Sequence, residues 1–164
     1  MVLDSLSRHK NVTTEFLRQI NGIPKGILEN LGTDLAKKAV AMSREVDGDL
    51  HRHKAFLRPS VSPHGILYAK LYKMNHHNEK LLLKFFLERF PDFIVIFESK
   101  RGVFIKDQNS YDLITDRSLD EVLEELEKKR PINPLFKELN GKNYQELWES
   151  FAQSQIIQGR RISK

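Results

Sequence analysis

The chain of 164 residues has no cysteine, which removes thiol catalysis, Cys-ligated zinc and iron–sulfur chemistry and fits a reducing interior. It also has no run near the ~20 apolar residues that a bilayer-crossing helix needs. Its start, Met1-Val2-Leu3-Asp4-Ser5, has no cationic segment followed by an apolar one. A cytoplasmic protein without a membrane segment is therefore expected. The phosphate-cradling glycine loop, G-x-G-x-x-G, H-E-x-x-H and G-x-S-x-G are all missing, so the common nucleotide, metalloprotease and hydrolase signatures fail. No cofactor is expected, and no internal repeat or low-complexity tract is visible.

What is present is a single-domain length at roughly 150 residues per domain, with 40% hydrophobic and 30% charged content. The net charge of +5 and pI near 9.4 favour an anionic partner. The basic character is regional. Residues 51–90 carry eight basic residues (Arg52, Lys54, Arg58, Lys70, Lys73, Lys80, Lys84, Arg89) against Glu79 and Glu88, a net of +6, which leaves −1 for all other residues. Five of the six histidines (His51, His53, His64, His76, His77) share that stretch. Residues 107–127 hold eight acids and one arginine, a net of −7, so the molecule is expected to be electrostatically two-sided.

The N-terminal part, 1–49, reads as helical. Thr13 and Thr14 precede Phe16, Leu17 and Ile20, and apolar residues recur through Ile23, Ile27, Leu28 and Leu31 up to Gly32. Thr33 caps a second stripe, Leu35, Ala39, Met42 and Val46, that ends near Gly48. A sheet-containing core is expected over 50–115. Lys54 to Val61 and His64 to Lys73 read as a hairpin around Ser62-Pro63-His64-Gly65. Asn78 to Phe90 forms a helix stopped by Pro91. Phe93-Ile94-Val95-Ile96-Phe97 is a central strand, Lys100-Arg101-Gly102 turns into Val103-Phe104-Ile105, and Tyr111 to Ile114 adds a short strand. Over 116–164, Ser118-x-x-Glu121 opens an acidic helix that stops before Pro131, and residues 129–142 connect to a last helix with Tyr144, Leu147, Trp148 and Phe151. The fold expected is α+β: N-terminal helices, a central antiparallel sheet of ββαββ type with one interposed helix, then C-terminal helices.

Among side chains that could carry chemistry, His51-x-His53 and His76-His77 are the only metal-ligand spacings, and each pair needs carboxylates from elsewhere, so no metal is expected. Lys100-Arg101-Gly102-Val103-Phe104-Ile105 is similar to an RNA-recognition strand motif, although Val103 replaces its first stacking aromatic. If Tyr68-Ala69-Lys70-Leu71-Tyr72 is a strand, Tyr68, Lys70 and Tyr72 share one face. They then either stack bases or pack beneath a helix.

Several blocks taken together resemble one family. They are Leu50-His51-Arg52-His53-Lys54-Ala55-Phe56-Leu57-Arg58, Ile66-Leu67-Tyr68-Ala69, Asn75-His76-His77-Asn78, Phe85-Phe86-Leu87-Glu88-Arg89-Phe90-Pro91, Ile94 to Gly102, and Tyr144 to Phe151 followed by Ile156 and Arg160. The family is an uncharacterised domain described as a probable DNA metabolism protein, which partners radical-SAM proteins of DNA modification or repair and is fused to uracil-DNA glycosylases of the UdgX type. By this resemblance the family's histidine-arginine pair falls on His51 and Arg52, its strand arginine on Arg58 and its histidine-asparagine pair on His77 and Asn78. Its F-x-x-R-F falls on Phe86, Arg89 and Phe90, and its arginine-glycine turn on Arg101 and Gly102. Pro59 stands in place of an aromatic, Glu98 in place of an aspartate, and the family's Pro- and Trp-containing tail is not found before Lys164.

The leading expectation is a nucleic-acid-binding accessory protein of DNA repair or modification, with DNA favoured over RNA, whose contacts are Arg52, Arg58, Tyr68, Lys70, His77, Arg89, Arg101 and Arg160. A repair or radical-SAM protein is the expected protein partner. Two alternatives stand beside it. One is a glycosylase- or nuclease-like enzyme that uses His51, His53 or His77 as general acid or base. The other is a protein-interaction module that docks through the acidic 107–127 face without nucleic-acid contact.

Overall fold

The computed structural model of the chain describes residues 2–133. Within them the order is α1 (Val2–Ser7), α2 (Thr14–Asn21), α3 (Lys25–Glu29), α4 (Asp34–Phe56), β1 (Ser60–Ser62), β2 (Ile66–Lys70), α5 (Glu79–Arg89), β3 (Ile94–Ser99), β4 (Gly102–Lys106), β5 (Tyr111–Ile114) and α6 (Leu119–Lys129). The expected last helix, with Trp148 and Arg160, lies outside the described residues.

Local chemistry places most boundaries. Thr13 Oγ1 accepts from Phe16 N–H at 3.1 Å and Thr33 Oγ1 from Ala36 N–H at 3.1 Å, capping α2 and α4. Ser118 and Glu121 close a reciprocal capping box at α6. The single stripe expected between Phe16 and Leu31 is divided, because Pro24 has no N–H to donate and biases Ile23 away from the helical region. Helix α4 runs eight residues beyond Gly48, across the expected boundary at residue 49, so Lys54 to Phe56 are helical and β1 has only three residues. A mid-helix glycine costs about 1 kcal/mol, and burial of Val46, Asp49 and Leu50 on the same stripe outweighs it. The helix ends at Phe56, with Leu57 already extended, and Pro59 disfavours a return to helical geometry at Arg58.

The five strands form one sheet in the order β1-β2-β3-β4-β5. Its outer pairings are antiparallel, but β2 and β3 run parallel, from Ile66 opposite Ile94 to Lys70 opposite Glu98. The sheet is therefore mixed, which corrects the all-antiparallel expectation within a fold that is α+β. The physical reason is α5: a chain that leaves the end of β2 and returns through a helix re-enters the sheet at the end where β2 began.

Helices cover both faces of the sheet. On one face Leu67, Val95, Phe97 and Phe104 meet Leu50 of α4 and Leu82, Leu83 and Phe86 of α5, with Phe86 edge-on to Phe97 at 5.6 Å between ring centres. On the other, Ile66, Ile94, Ile96 and Val103 lie under Leu119 and Val122 of α6. Burial of each such side chain contributes about 1.5–3 kcal/mol. Leu6, Ile20, Leu28, Ala36 and Ala39 form a third cluster among α1 to α4. Buried Asn78 joins that cluster to the sheet layer: its Nδ2 donates to Val46 O at 3.0 Å and its Oδ1 accepts from Arg8 Nη1. Among the described residues no helix is long and apolar enough to cross a membrane.

Candidate functional site

At the carboxyl end of β2, Leu71 N–H still bonds Glu98 O of β3 at 2.6 Å, after which the chain leaves the sheet toward α5. This departing segment and the last turns of α4 enclose a cleft of about 460 Å³, lined by Asp49, Arg52, His53, Phe56, Leu57, Lys70, Leu71, Tyr72 and Lys73. Open sheets with parallel strands commonly bind ligands beyond the carboxyl ends of those strands.

Asp49 holds the two walls together. It is 1% exposed, and its Oδ2 accepts the backbone N–H of Asn75 at 3.2 Å and of His76 at 3.0 Å. Its Oδ1 lies 3.5 Å from His53 Nδ1 and 4.0 Å from Arg52 Nη2. His53 Nδ1 sits 2.8 Å from Asp49 O, one helical turn back. A carbonyl only accepts, so Nδ1 carries a proton, and in the neutral form of the ring Nε2 is the acceptor. The cleft holds three permanent cations, Arg52, Lys70 and Lys73, against the single carboxylate of Asp49. Asp120, 3.7 Å away, is the main cause raising the Lys70 pKa, followed by Tyr72. Two aromatics flank these charges: Phe56 is 78% exposed and Tyr72 is 80% exposed.

Of the residues singled out in the sequence, Arg52 and Lys70 line the cleft. His77 is exposed on the segment that leads from the cleft to α5. Arg58 donates to Ala55 O and Leu57 O, both at 3.0 Å, at the end of its own helix. Tyr68 is half-buried and packs with the cluster under α6. Strand β2 ends at Lys70, so Tyr72 lies beyond it and does not share the fate of Tyr68. The Arg89 guanidinium lies 3.5 Å over the Phe85 ring centre and donates to Phe85 O at 3.0 Å; burial lowers its pKa. Arg101 donates to Glu79 Oε1 at 2.6 Å and to His76 O at 2.5 Å, and Ser99 Oγ also bonds Glu79. Sequence reasoning did not single out Phe56 and Asp49. No local signal marked Phe56, because the sequence places it in a strand and only the fold carries α4 as far as that residue.

The histidine pairs are not brought together as ligand sets. His76 turns inward and His77 outward, and His76 instead meets His9 and Glu45, whose ligand-type atoms all lie within 4.8 Å of one another. Hydrogen-bond polarity there opposes metal ligation. His76 Nδ1 accepts from Lys10 N–H at 3.2 Å and His9 Nδ1 from Asn11 N–H at 3.1 Å, so the protons of both neutral rings sit on Nε2. A ligating imidazole normally donates from its second nitrogen. His9 Nε2 lies 3.2 Å from Glu45 and fits that protonated form. Burial, then the neighbouring His9, lowers the His76 pKa.

The acidic segment is largely engaged locally. Glu125 contacts Arg117 and Lys129, Glu124 pairs with Lys128 at 3.0 Å, Ser62 Oγ donates to Glu127 at 2.6 Å, and Asp107 caps the turn before β5 through Asn109 and Ser110 N–H.

The described residues thus form an α+β domain, a mixed sheet covered on both faces with an aromatic-flanked cationic cleft beyond one of its parallel strands. The chain belongs to the family described as domain of unknown function DUF4130, whose model matches residues 7–164. No curated protein and no solved structure matches it.

Proposed function

We propose that this protein binds nucleic acid, DNA in preference to RNA, through the cleft between α4 and the segment after β2, as an accessory factor in DNA repair or modification. The observation that carries the reading is the union of Arg52, Lys70 and Lys73 with exposed Phe56 and Tyr72 around one cavity. Cations neutralise phosphates and release counterions, while aromatic rings offer stacking platforms that every base can use. The role in repair, and a radical-SAM or repair enzyme as protein partner, rest on the motif resemblance around His51-Arg52, His77-Asn78 and Arg101-Gly102. The test is fluorescence anisotropy of the full chain against DNA and RNA oligonucleotides at several salt concentrations. Saturable binding that weakens steeply with salt supports the proposal, and absence of binding at low salt overturns it.

A second reading, an enzyme that processes nucleic acid, is favoured by His53. Its Nδ1 proton is committed to Asp49 O, and no described residue occupies Nε2, so the ring can take a proton from a nucleophile in the cleft. Turnover of uracil-containing, abasic or single-stranded DNA that disappears in His53→Gln while binding persists would support it. Binding without turnover of any of these substrates would leave the accessory role alone.

A further inference from the structure

The kind of nucleic acid follows from the shape of the same cleft, and this step rests on the nucleic-acid reading above. We infer that the cleft takes a single unstacked nucleotide, its base against Phe56 and Tyr72 and its phosphates on Arg52 and Lys73, so that the ligand is an unpaired strand or a nucleotide extruded from a duplex.

Phe56 and Tyr72 are the two most exposed large apolar side chains among the described residues, on opposite walls of one cavity. Other aromatics near basic side chains are occupied: Phe85 has Arg89 over its face, and Tyr111 has Lys80 at 4.8 Å. The Tyr72 hydroxyl side engages Lys70, but among the described residues no ring stacks on Phe56 or Tyr72 and no cation lies over either face. Their faces are therefore available, which is what base stacking requires.

A paired base in a duplex has both faces covered by its neighbours, so these rings can reach a base face only where a base is unpaired or flipped. At about 460 Å³, the cleft lies in the range of ~300–1,000 Å³ typical of small-ligand sites. That is room for one nucleotide, with no space for a double helix. The cations suit a strand that runs along the rim. Arg52 is held by Asp49 only at 4.0 Å, and Lys73 has no ion pair among the described residues. His53 Nε2 adds an acceptor for a donor on the base or sugar. An acidic peptide is disfavoured because its aliphatic side chains make poor use of two exposed ring faces.

The test uses the full chain and fluorescein-labelled oligonucleotides of about 12 nucleotides, within the site sizes such grooves cover. These are single-stranded DNA, the blunt duplex, the same duplex with one bulged base, and single-stranded RNA. Single strands should bind at least about 10-fold more tightly than the blunt duplex, with the bulge restoring most of the difference. Phe56→Ala with Tyr72→Ala should cut single-strand affinity about 10- to 100-fold, the stacking contribution of one base, and leave duplex binding and the thermal melt unchanged. Arg52→Ala with Lys73→Ala should weaken binding to every nucleic acid. The DNA and RNA arms distinguish the two sources of the same ligand chemistry. Equal binding of single strand and duplex, insensitive to the aromatic double variant, would overturn this inference and leave the nucleic-acid reading standing. No binding of any oligonucleotide at low salt, or competition only by an acidic peptide, would overturn both.

Discussion

On the proposed nucleic-acid reading, the three cations of the cleft set the salt dependence of binding. Arg52, Lys70 and Lys73 can neutralise about three phosphates, and for a single strand the slope of log affinity against log salt is about −0.7 per phosphate, or about −2 in total. Raising salt from about 50 to about 200 mM then weakens binding roughly 20-fold, about 1.8 kcal/mol. Arg52→Ala with Lys73→Ala leaves Lys70 alone, and the slope should fall to about −0.7, so the same salt change costs only about threefold. Both side chains are exposed, so the variant should fold as the parent does. Anisotropy titrations of parent and variant at four or five salt concentrations read both slopes directly. A parent slope much steeper than −2 would place phosphates on cations outside the cleft, and an unchanged slope in the variant would refute the assignment of Arg52 and Lys73.

Other expectations concern the scaffold. Arg101→Ala strands Glu79, which is 2% exposed, and should cost about 3–5 kcal/mol in urea denaturation; an unchanged midpoint would mean that the Glu79–Arg101 pair does not hold α5 to the β3–β4 turn. Gly102 has φ +134°, and an added Cβ would lie 2.8 Å from Ile114 O, so Gly102→Ala should lower stability by about 2 kcal/mol or more. Burial and His9 lower the His76 pKa, so the unfolded chain binds that proton more tightly than the folded one. Stability should then fall as pH drops below about 6.5, through the unfolded value toward the lowered folded one, with His76→Gln flattening that step in denaturation midpoints. Tyr68→Phe should leave DNA affinity unchanged, because that ring packs under α6; a large loss on anisotropy would place Tyr68 in the interface.

Much of the scaffold was written in short-range chemistry. Ser118-x-x-Glu121, Pro91, the apolar run from Phe93 to Phe97 and the Arg101-Gly102 turn each act within a few residues, and the elements around them were legible. The parallel pairing of β2 with β3 was not, because pairing direction depends on where α5 returns the chain. The continuation of α4 to Phe56 was hidden by Gly48, a local stop signal that tertiary burial overrode. In the site, Arg52 and Lys70 could be read from the basic segment. That segment does not distinguish them from Arg58, Arg89 and Arg101, since the partners of those arginines, Leu57 O, Phe85 and Glu79, are defined only once the chain has folded. Exposure of Phe56 was likewise illegible, as a phenylalanine at a helix end usually joins the core.

Occupancy of the cleft by a single strand is read residue by residue in an amide chemical-shift titration of the isotopically labelled chain with a short single-stranded DNA. The largest changes should cluster at residues 49–57 and 70–73, with the turn around Arg101 and the acidic segment 107–127 little affected. Changes centred on Arg89, Arg101 or the acidic segment, with the cleft residues unmoved, would contradict that occupancy.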